Sequence, residues 1–163
     1  MACIAITKRI DAPPETVFEV TTDLQRAAEQ VRGIKKIELL TTLPVCVGTR
    51  WRETRKMMGH ERVEVLEVTA FDPPHSYTVG CVSCGAYLET TFRFAAAGDQ
   101  ATELTLNARM EARTLMATLM SPIGSLMFGA TMRRCLADDL EDVKRVAESR
   151  AAALSGHRSG AAE

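Results

Sequence analysis

Side chains that could do chemistry in a protein interior alternate along a strand predicted at residues 48–58. Its odd-numbered positions include Trp51, Glu53, Arg55 and Met57. The even-numbered positions between them hold only polar side chains: Arg50, Arg52, Thr54 and Lys56. Because successive side chains of a strand point to opposite faces, we expect the polar set to face solvent and the odd set to face inward. A buried charge must be paired or solvated, and a carboxylate and a guanidinium two residues apart can pair. The pattern predicts either a partly hydrated ligand cavity or an ion pair at the sheet rim with no further role.

The cysteines offer a second possible chemistry. Cys81 and Cys84 form a C-x-x-C motif at a predicted hairpin tip, and His60 lies on another tip at the same end of the sheet. A zinc site needs four ligands, and a thioredoxin-type motif needs a βαβ context that this sequence does not offer. A zinc site, a regulatory disulfide and two ordinary thiols stay open, and we favour ordinary thiols. His60 and His75 fall at turns, where solvated histidines are common, so we expect no metal and no cofactor.

Composition restricts the class of protein. The chain has 163 residues, of which 46% are hydrophobic and 25% are charged, as in one globular domain. A net charge of −1 argues against nucleic-acid binding, and no segment approaches the roughly 20 apolar residues of a membrane span. The N-terminus does not resemble a signal peptide, and five scattered cysteines fit free thiols. We expect a cytoplasmic protein without stable membrane insertion, with one domain at 1–154 and a flexible polar tail at 155–163.

Hydrophobic periodicity predicts the elements that position these side chains. The predicted strands are residues 3–10, 34–42, 48–58, 61–71, 75–82, 86–94 and 101–110. Two short helices, 15–20 and 23–30, separate the first two strands, with Asp23 as the expected N-cap of the second. The later strands are joined by short loops and must therefore be antiparallel. The side chains expected to face inward are Tyr77, Val79 and Cys81; Leu88, Thr90, Phe92 and Phe94; Leu104, Leu106, Ala108 and Met110.

A long helix is predicted at residues 112–153. Its second half is amphipathic, with Leu136, Leu140, Val143 and Ala147 on one face. The charged residues between them are assigned to the other faces: Asp138, Asp139, Glu141, Asp142 and Arg145. The first half, residues 115–128, is apolar around most of its circumference, so it needs a cover besides the sheet. The short helices, a bound ligand or a second copy in a homodimer could supply that cover. Gly124, Gly129 and Pro122 weaken this half, which we expect to be a labile wall through which a ligand enters.

Four segments resemble the polyketide cyclase/dehydrase-like family of the SRPBCC (START-like, helix-grip) superfamily. Ile10–Phe18 resembles the family's first strand-to-helix connection, and Val47–Gly59 resembles its second-to-third-strand segment. Val68–Pro74 resembles its fourth-strand exit, and Leu136–Lys144 resembles its closing helix. The resemblance covers nearly the whole chain. It implies an α+β helix-grip fold, in which a seven-stranded curved antiparallel sheet wraps around a long C-terminal helix and two short helices separate strands 1 and 2. Relatives usually have an aromatic residue in the second short helix, where this chain has Arg26–Val31.

The resemblance also implies an internal cavity for a small, largely apolar molecule that is lipid-like or polyketide-like. We expect a carrier or sensor of such a molecule. One alternative is a cyclase/dehydratase-type enzyme in which Arg55, Glu53 or Tyr77 orients the substrate and moves protons. The other is a protein–protein interaction module that uses the apolar half of the C-terminal helix. The candidate ligand-binding residues are Trp51, Glu53, Arg55, Met57, Tyr77, Val79, Phe92, Met116, Met120 and Met127; no catalytic residue is assigned.

Overall fold

The computed structural model describes residues 2–57, 59–83, 86–112 and 122–159. Within these ranges, seven strands form one antiparallel sheet: β1 (Ala2–Ile10), β2 (Ile34–Leu39), β3 (Arg50–Met57), β4 (His60–Asp72), β5 (Ser76–Ser83), β6 (Ala86–Ala96) and β7 (Thr102–Ala112). Two short helices, α1 (Pro14–Thr22) and α2 (Ala27–Gln30), connect β1 to β2, and a long helix, α3 (Pro122–Ser159), packs against the sheet and α1. The predicted helix-grip fold is confirmed.

The strand order is β1-β7-β6-β5-β4-β3-β2, so the chain forms a meander from β2 to β7 and β1 pairs with β7. Register places Trp51 opposite Leu66, Leu66 opposite Cys81, and Cys81 opposite Leu88 on one face of the sheet. The inward-facing sets predicted for β3, β5, β6 and β7 lie on this same face. It meets the apolar side of α3, where Leu140 and Ala147 are almost completely buried, as predicted.

An aromatic cluster fills the core between α1 and the sheet. The ring of Phe18 lies 5.2 Å from that of Phe94, 5.5 Å from that of Phe71 and 5.9 Å from that of Tyr77. Tyr77 also stacks on Phe92, with a centroid distance of 4.6 Å. Tilted and offset aromatic pairs of this kind stabilise a core beyond the area that they bury. The cluster therefore joins α1 to β4, β5 and β6.

Several predicted boundaries were wrong for local reasons. Helix α2 begins at Ala27, and Asp23 is the C-cap of α1; its Oδ1 accepts a hydrogen bond of 3.3 Å from the backbone N–H of Arg26. Strand β2 ends at Leu39, because beyond it the chain pairs with Arg50 irregularly, partly through the side chain of Thr41. Helix α3 continues to Ser159, past the predicted end at residue 153. The predicted helical residues 113–121 lie outside the described part of the chain.

The outer face of the sheet contains one close approach that requires glycine. Gly80 on β5 is buried beneath the ring of Tyr87 on β6. A Cβ atom at position 80 would lie only 2.9 Å from Cζ of Tyr87. The tyrosine thus occupies the space that a side chain on β5 would otherwise fill.

Candidate ligand-binding cavity

A cavity of about 910 Å³ lies among the sheet, the two short helices and α3. Protein cores are normally close-packed, with few voids larger than a water molecule. Sites for small molecules, in contrast, measure about 300–1,000 Å³ and are mostly apolar with a few polar groups. Representative apolar residues of the walls come from α1, α2 and their flanks, from the sheet, and from α3: Val20, Leu24, Val31, Leu66, Val68, Val79, Leu88, Phe92, Leu106, Leu136 and Leu140.

The polarity of the sheet changes along the cavity. Near the C-terminal ends of β3 and β5, Arg55 lies opposite Arg62 and Glu53 lies opposite Glu64. The next cross-strand row toward α1 contains Trp51, Leu66, Cys81 and Leu88, and the rows beyond it contain Val68, Val79 and Thr90 and then Tyr77, Phe92 and Leu106. We call the first region the polar end of the cavity and the aromatic region the apolar end.

The most extensive polar cluster joins the sheet to α3 at the polar end. The Nε of Arg55 donates to Oε1 of Glu53 at 2.8 Å, and its Nη1 and Nη2 both donate to Oδ2 of Asp139 at 2.9 Å. The side chains of Glu53, Arg55 and Asp139 are 11%, 17% and 19% exposed. The predicted pairing of Glu53 with Arg55 is therefore present, with Asp139 as a third member. Whether the cluster has a further role stays a prediction.

The charges of this cluster depend on each other. Burial raises the pKa of Asp139 above its ordinary value, and the Arg55 guanidinium opposes that rise only in part. Burial alone would lower the pKa of Arg55, but the carboxylates of Asp139 and Glu53 outweigh it, so the pKa of Arg55 is raised and the guanidinium stays charged. One guanidinium thus holds two carboxylates in a region of low dielectric constant.

Two aromatic side chains among the predicted ligand contacts use their polar atoms differently. Nε1 of Trp51 donates to Oε2 of Glu53 at 3.3 Å, which connects the indole to the charged cluster. The hydroxyl of Tyr77 donates to the backbone carbonyl of Thr21 at 3.4 Å, and burial raises the pKa of this hydroxyl. The Tyr77 hydroxyl therefore stays protonated at the apolar end.

A second polar group surrounds Glu64. The hydroxyl of Ser83 donates to Oε1 of Glu64, and the thiol of Cys81 lies 3.9 Å from its Oε2. Burial, followed by the charge of Glu64, raises the pKa of Cys81 to about 12. Since the thiolate is the reactive form of cysteine, we expect the Cys81 thiol to be protonated and unreactive at neutral pH.

All described residues among the predicted ligand contacts line this cavity: Trp51, Glu53, Arg55, Met57, Tyr77, Val79 and Phe92. Met116 and Met120 lie outside the described residues, as does the side chain of Met127. Whether the seven wall residues bind a ligand stays a prediction.

Sequence reasoning missed Asp139 and Glu64. Asp139 was assigned to an outward face of the C-terminal helix, which is wrong. It lies three residues after Leu136 and four before Val143, and side chains at these spacings share one helix face. That spacing was the available signal. Asp142, also assigned outward, is 2% exposed and accepts hydrogen bonds from the backbone and side chain of Arg32.

The cysteines and histidines do not form a metal site within the described part of the chain, where no three potential ligands cluster. Cys3, Cys46, Cys81 and Cys135 are free thiols. His60 is exposed at the start of β4, whereas Cys81 is buried in β5. Cys84 lies outside the described residues, so the interpretation of the C-x-x-C motif stays a prediction.

Comparisons with solved structures agree with the fold. The chain is similar to TTHA0849 of Thermus thermophilus, with 16% identity and a TM-score of 0.76 over 91% of this chain and 99% of that one. It is similar to the Zhui aromatase/cyclase of a Streptomyces species, with 20% identity and a TM-score of 0.76 over 91% and 94% of the two chains. A START superfamily protein of Mycobacterium smegmatis matches at 15% identity and a TM-score of 0.67 over 93% and 98%.

Comparison with curated protein sequences gave no match, and no helix in the described part of the chain is long and apolar enough to cross a membrane. The family model described as polyketide cyclase / dehydrase and lipid transport matches residues 1–148. The seven-stranded antiparallel sheet, the two short helices and the long C-terminal helix agree with that match. The chain therefore belongs to the polyketide cyclase/dehydrase and lipid transport family.

Proposed function

We propose that this protein is a carrier or sensor that binds a small, largely apolar molecule with one polar end inside the cavity. The change of polarity along the cavity is the observation that carries this proposal. The apolar body of the ligand lies against Val79, Phe92 and Leu106, and its polar group lies near Arg55 and Glu53. Such a molecule resembles the lipids and polyketides in the family description.

The energetics favour an apolar ligand. Each Å² of apolar surface removed from water contributes about 25 cal/mol, so a ligand that buries roughly 300 Å² gains about 7 kcal/mol. Loss of translational and rotational freedom offsets at least about 4 kcal/mol of this gain. The charged groups at the polar end already have protein partners, so the ligand needs no charge of its own. The remaining free energy of about 3 kcal/mol corresponds to a dissociation constant in the millimolar range. A larger ligand reaches the micromolar range, because each further ~55 Å² of buried apolar surface tightens binding about tenfold.

A cavity-filling variant tests the proposal directly. Val79 is 7% exposed and lines the cavity, whereas Val82, on the opposite face of the same strand, is 61% exposed. Nile red, an uncharged dye with environment-sensitive emission, should bind the wild-type protein and change the fluorescence of Trp51. Val79→Trp should weaken dye binding because the indole takes up part of the cavity, and Val82→Trp should leave it unchanged.

If Nile red does not bind the folded wild-type protein, or if Val82→Trp weakens binding as much as Val79→Trp, the cavity is not the site. Circular dichroism tests whether both variants retain the fold. Native mass spectrometry of freshly purified protein gives a second measurement, since a co-purified small molecule should be more abundant in the wild type than in Val79→Trp.

A second candidate function is catalysis of the cyclase or dehydratase type. The specific observation is Asp139, a carboxyl group with a raised pKa that contacts Arg55 in the cavity wall. Perturbed carboxyl groups in clefts are candidates for general acids and bases, and one structural neighbour is an aromatase/cyclase. A carrier would return its co-purified ligand unchanged after incubation. An enzyme would convert it, and Asp139→Asn would stop conversion while the ligand still binds.

The interaction-module hypothesis and the possible homodimer stay predictions. Both depend on the apolar residues 115–128, which are largely outside the described part of the chain. Sedimentation of the purified protein over a range of concentrations would test the dimer.

A further inference from the structure

The charge at the polar end restricts which ligands can enter. Carboxylates line this end from Glu53, Glu64 and Asp139, and guanidiniums from Arg55 and Arg62. Three carboxylates against two guanidiniums leave one excess negative charge among the described lining residues when all five are ionised. Arg62 is solvent-exposed, and water screens exposed charges more strongly than buried ones. The inner part of the polar end is therefore more negative than the count alone indicates.

Arg55 is the buried cation that could anchor a ligand carboxylate, but each of its two bidentate edges already donates to a protein carboxylate. The Nε edge donates to Glu53, and the edge formed by Nη1 and Nη2 donates to Asp139. A carboxylate binds a guanidinium most strongly through two parallel hydrogen bonds along one such edge. A ligand carboxylate that formed such a bidentate pair would displace Glu53 or Asp139 from Arg55, and an unpaired buried charge is costly. Without displacement, only single hydrogen bonds from the remaining Nη N–H groups are open to it.

The same carboxylates favour a ligand that donates hydrogen bonds. An ionised carboxylate only accepts, and its two oxygens together offer about four acceptor positions. Oε2 of Glu53 is in contact with Trp51 at 3.3 Å, and Oε2 of Glu64 with the thiol of Cys81 at 3.9 Å. Both contacts are longer than an optimal hydrogen bond. A ligand hydroxyl can donate to these oxygens, whereas a ligand carboxylate would add only acceptors.

We propose that the cavity selects ligands whose polar end is an uncharged hydrogen-bond donor, an alcohol or a phenol, and discriminates against carboxylic acids. This inference rests on the proposed function, since it names the chemical class of the ligand that the cavity accepts. Charge and hydrogen-bond geometry act in the same direction here. The apolar end of the cavity contacts the body of the ligand, and the polar end selects its head group.

Two probes with the same ring system test the selection. At neutral pH, 2-naphthol is uncharged and 2-naphthoate is an anion, and each can be titrated into the wild-type protein by isothermal calorimetry with Trp51 fluorescence as a second readout. We expect 2-naphthol to bind at least about tenfold more tightly than 2-naphthoate. Equal affinities, or tighter binding of 2-naphthoate, would overturn the inference and leave the proposed function intact. Binding of neither these probes nor Nile red would overturn the proposed function itself.

A matched pair of variants identifies charge as the cause. Glu64→Gln removes a negative charge from the cavity and keeps an oxygen that can accept from Ser83. Glu67→Gln removes one from the outer face of the same strand, where the side chain of Glu67 is 50% exposed. The affinity ratio of 2-naphthol to 2-naphthoate should fall by at least about threefold in Glu64→Gln, because a cavity charge is poorly screened. It should not change in Glu67→Gln. An unchanged ratio in a folded Glu64→Gln protein would overturn charge as the cause, and the wild-type ratio tests the selection without any variant.

Discussion

Replacement of Arg55 by methionine is the sharpest test of the charged cluster. The substitution keeps an apolar side chain in the wall and leaves Glu53 and Asp139, which are 11% and 19% exposed, without their countercharge. Removing one partner of a buried ion pair costs about 3–5 kcal/mol. A domain is stable by only about 5–15 kcal/mol in total, so we expect Arg55→Met to destabilise the protein by about 3–5 kcal/mol and to lower its urea midpoint greatly.

The neighbouring strand position provides the control. Arg52 lies on the outer face of β3, its side chain is 45% exposed, and its nearest carboxylate oxygen, on Glu38, is 3.9 Å away. Exposed pairs of this kind contribute about 0–1 kcal/mol, so Arg52→Met should have little effect. Urea unfolding followed by Trp51 fluorescence and circular dichroism measures both variants. Equal, small losses in the two variants would refute the conclusion that Arg55 is buried and paired.

Further apolar substitutions that restore the stability lost in Arg55→Met distinguish an ion pair from a three-residue cluster. The sequence alone predicts that apolar replacement of both Glu53 and Arg55 recovers much of the lost stability. The structure adds Asp139, which would remain buried without a partner in that double variant. We therefore expect recovery only when Glu53→Leu, Arg55→Met and Asp139→Leu are combined, because well-packed apolar residues can replace a buried ionic cluster at little cost. Full recovery in the double variant would show that Asp139 finds solvent.

Three further predictions concern single positions. Burial raises the pKa of Asp139 in the folded state above its value in the unfolded state. Protonation of Asp139 therefore stabilises the folded protein fully below the unfolded-state pKa, and this stabilisation is lost as pH rises through the folded-state pKa. Urea midpoints at several pH values should show this decline in the wild type but less of it in Asp139→Asn. Gly80→Ala should destabilise the protein by about 1–3 kcal/mol because its Cβ meets the ring of Tyr87, and Tyr87→Ala in the same background should relieve part of that loss in a double-mutant cycle. Iodoacetamide at neutral pH should modify the exposed Cys46 and not Cys81, whose pKa is about 12. Peptide mass spectrometry measures the modification of each cysteine, and modified Cys81 would contradict the prediction.

The fold was predictable because local signals agreed with one another. Alternation assigned the inward faces of the strands, and short loops required antiparallel neighbours. The spacing of Leu136, Leu140, Val143 and Ala147 identified the face of α3 that packs against the sheet. Boundaries were less accurate where tertiary contacts replaced regular hydrogen bonding, as at Thr41, whose side chain and not its backbone accepts from the N–H of Arg50.

The candidate site was only half predictable, because its charge balance depends on contacts that no local pattern contains. Along β3, Glu53 and Arg55 balance each other, so nothing in that segment called for a further carboxylate. Register then places Glu64 directly opposite Glu53, and the phase of α3 brings Asp139 to the other side of Arg55. Like charges that face each other across strands destabilise a sheet. A cluster whose carboxylates outnumber its buried cation therefore costs stability that an apolar wall would not.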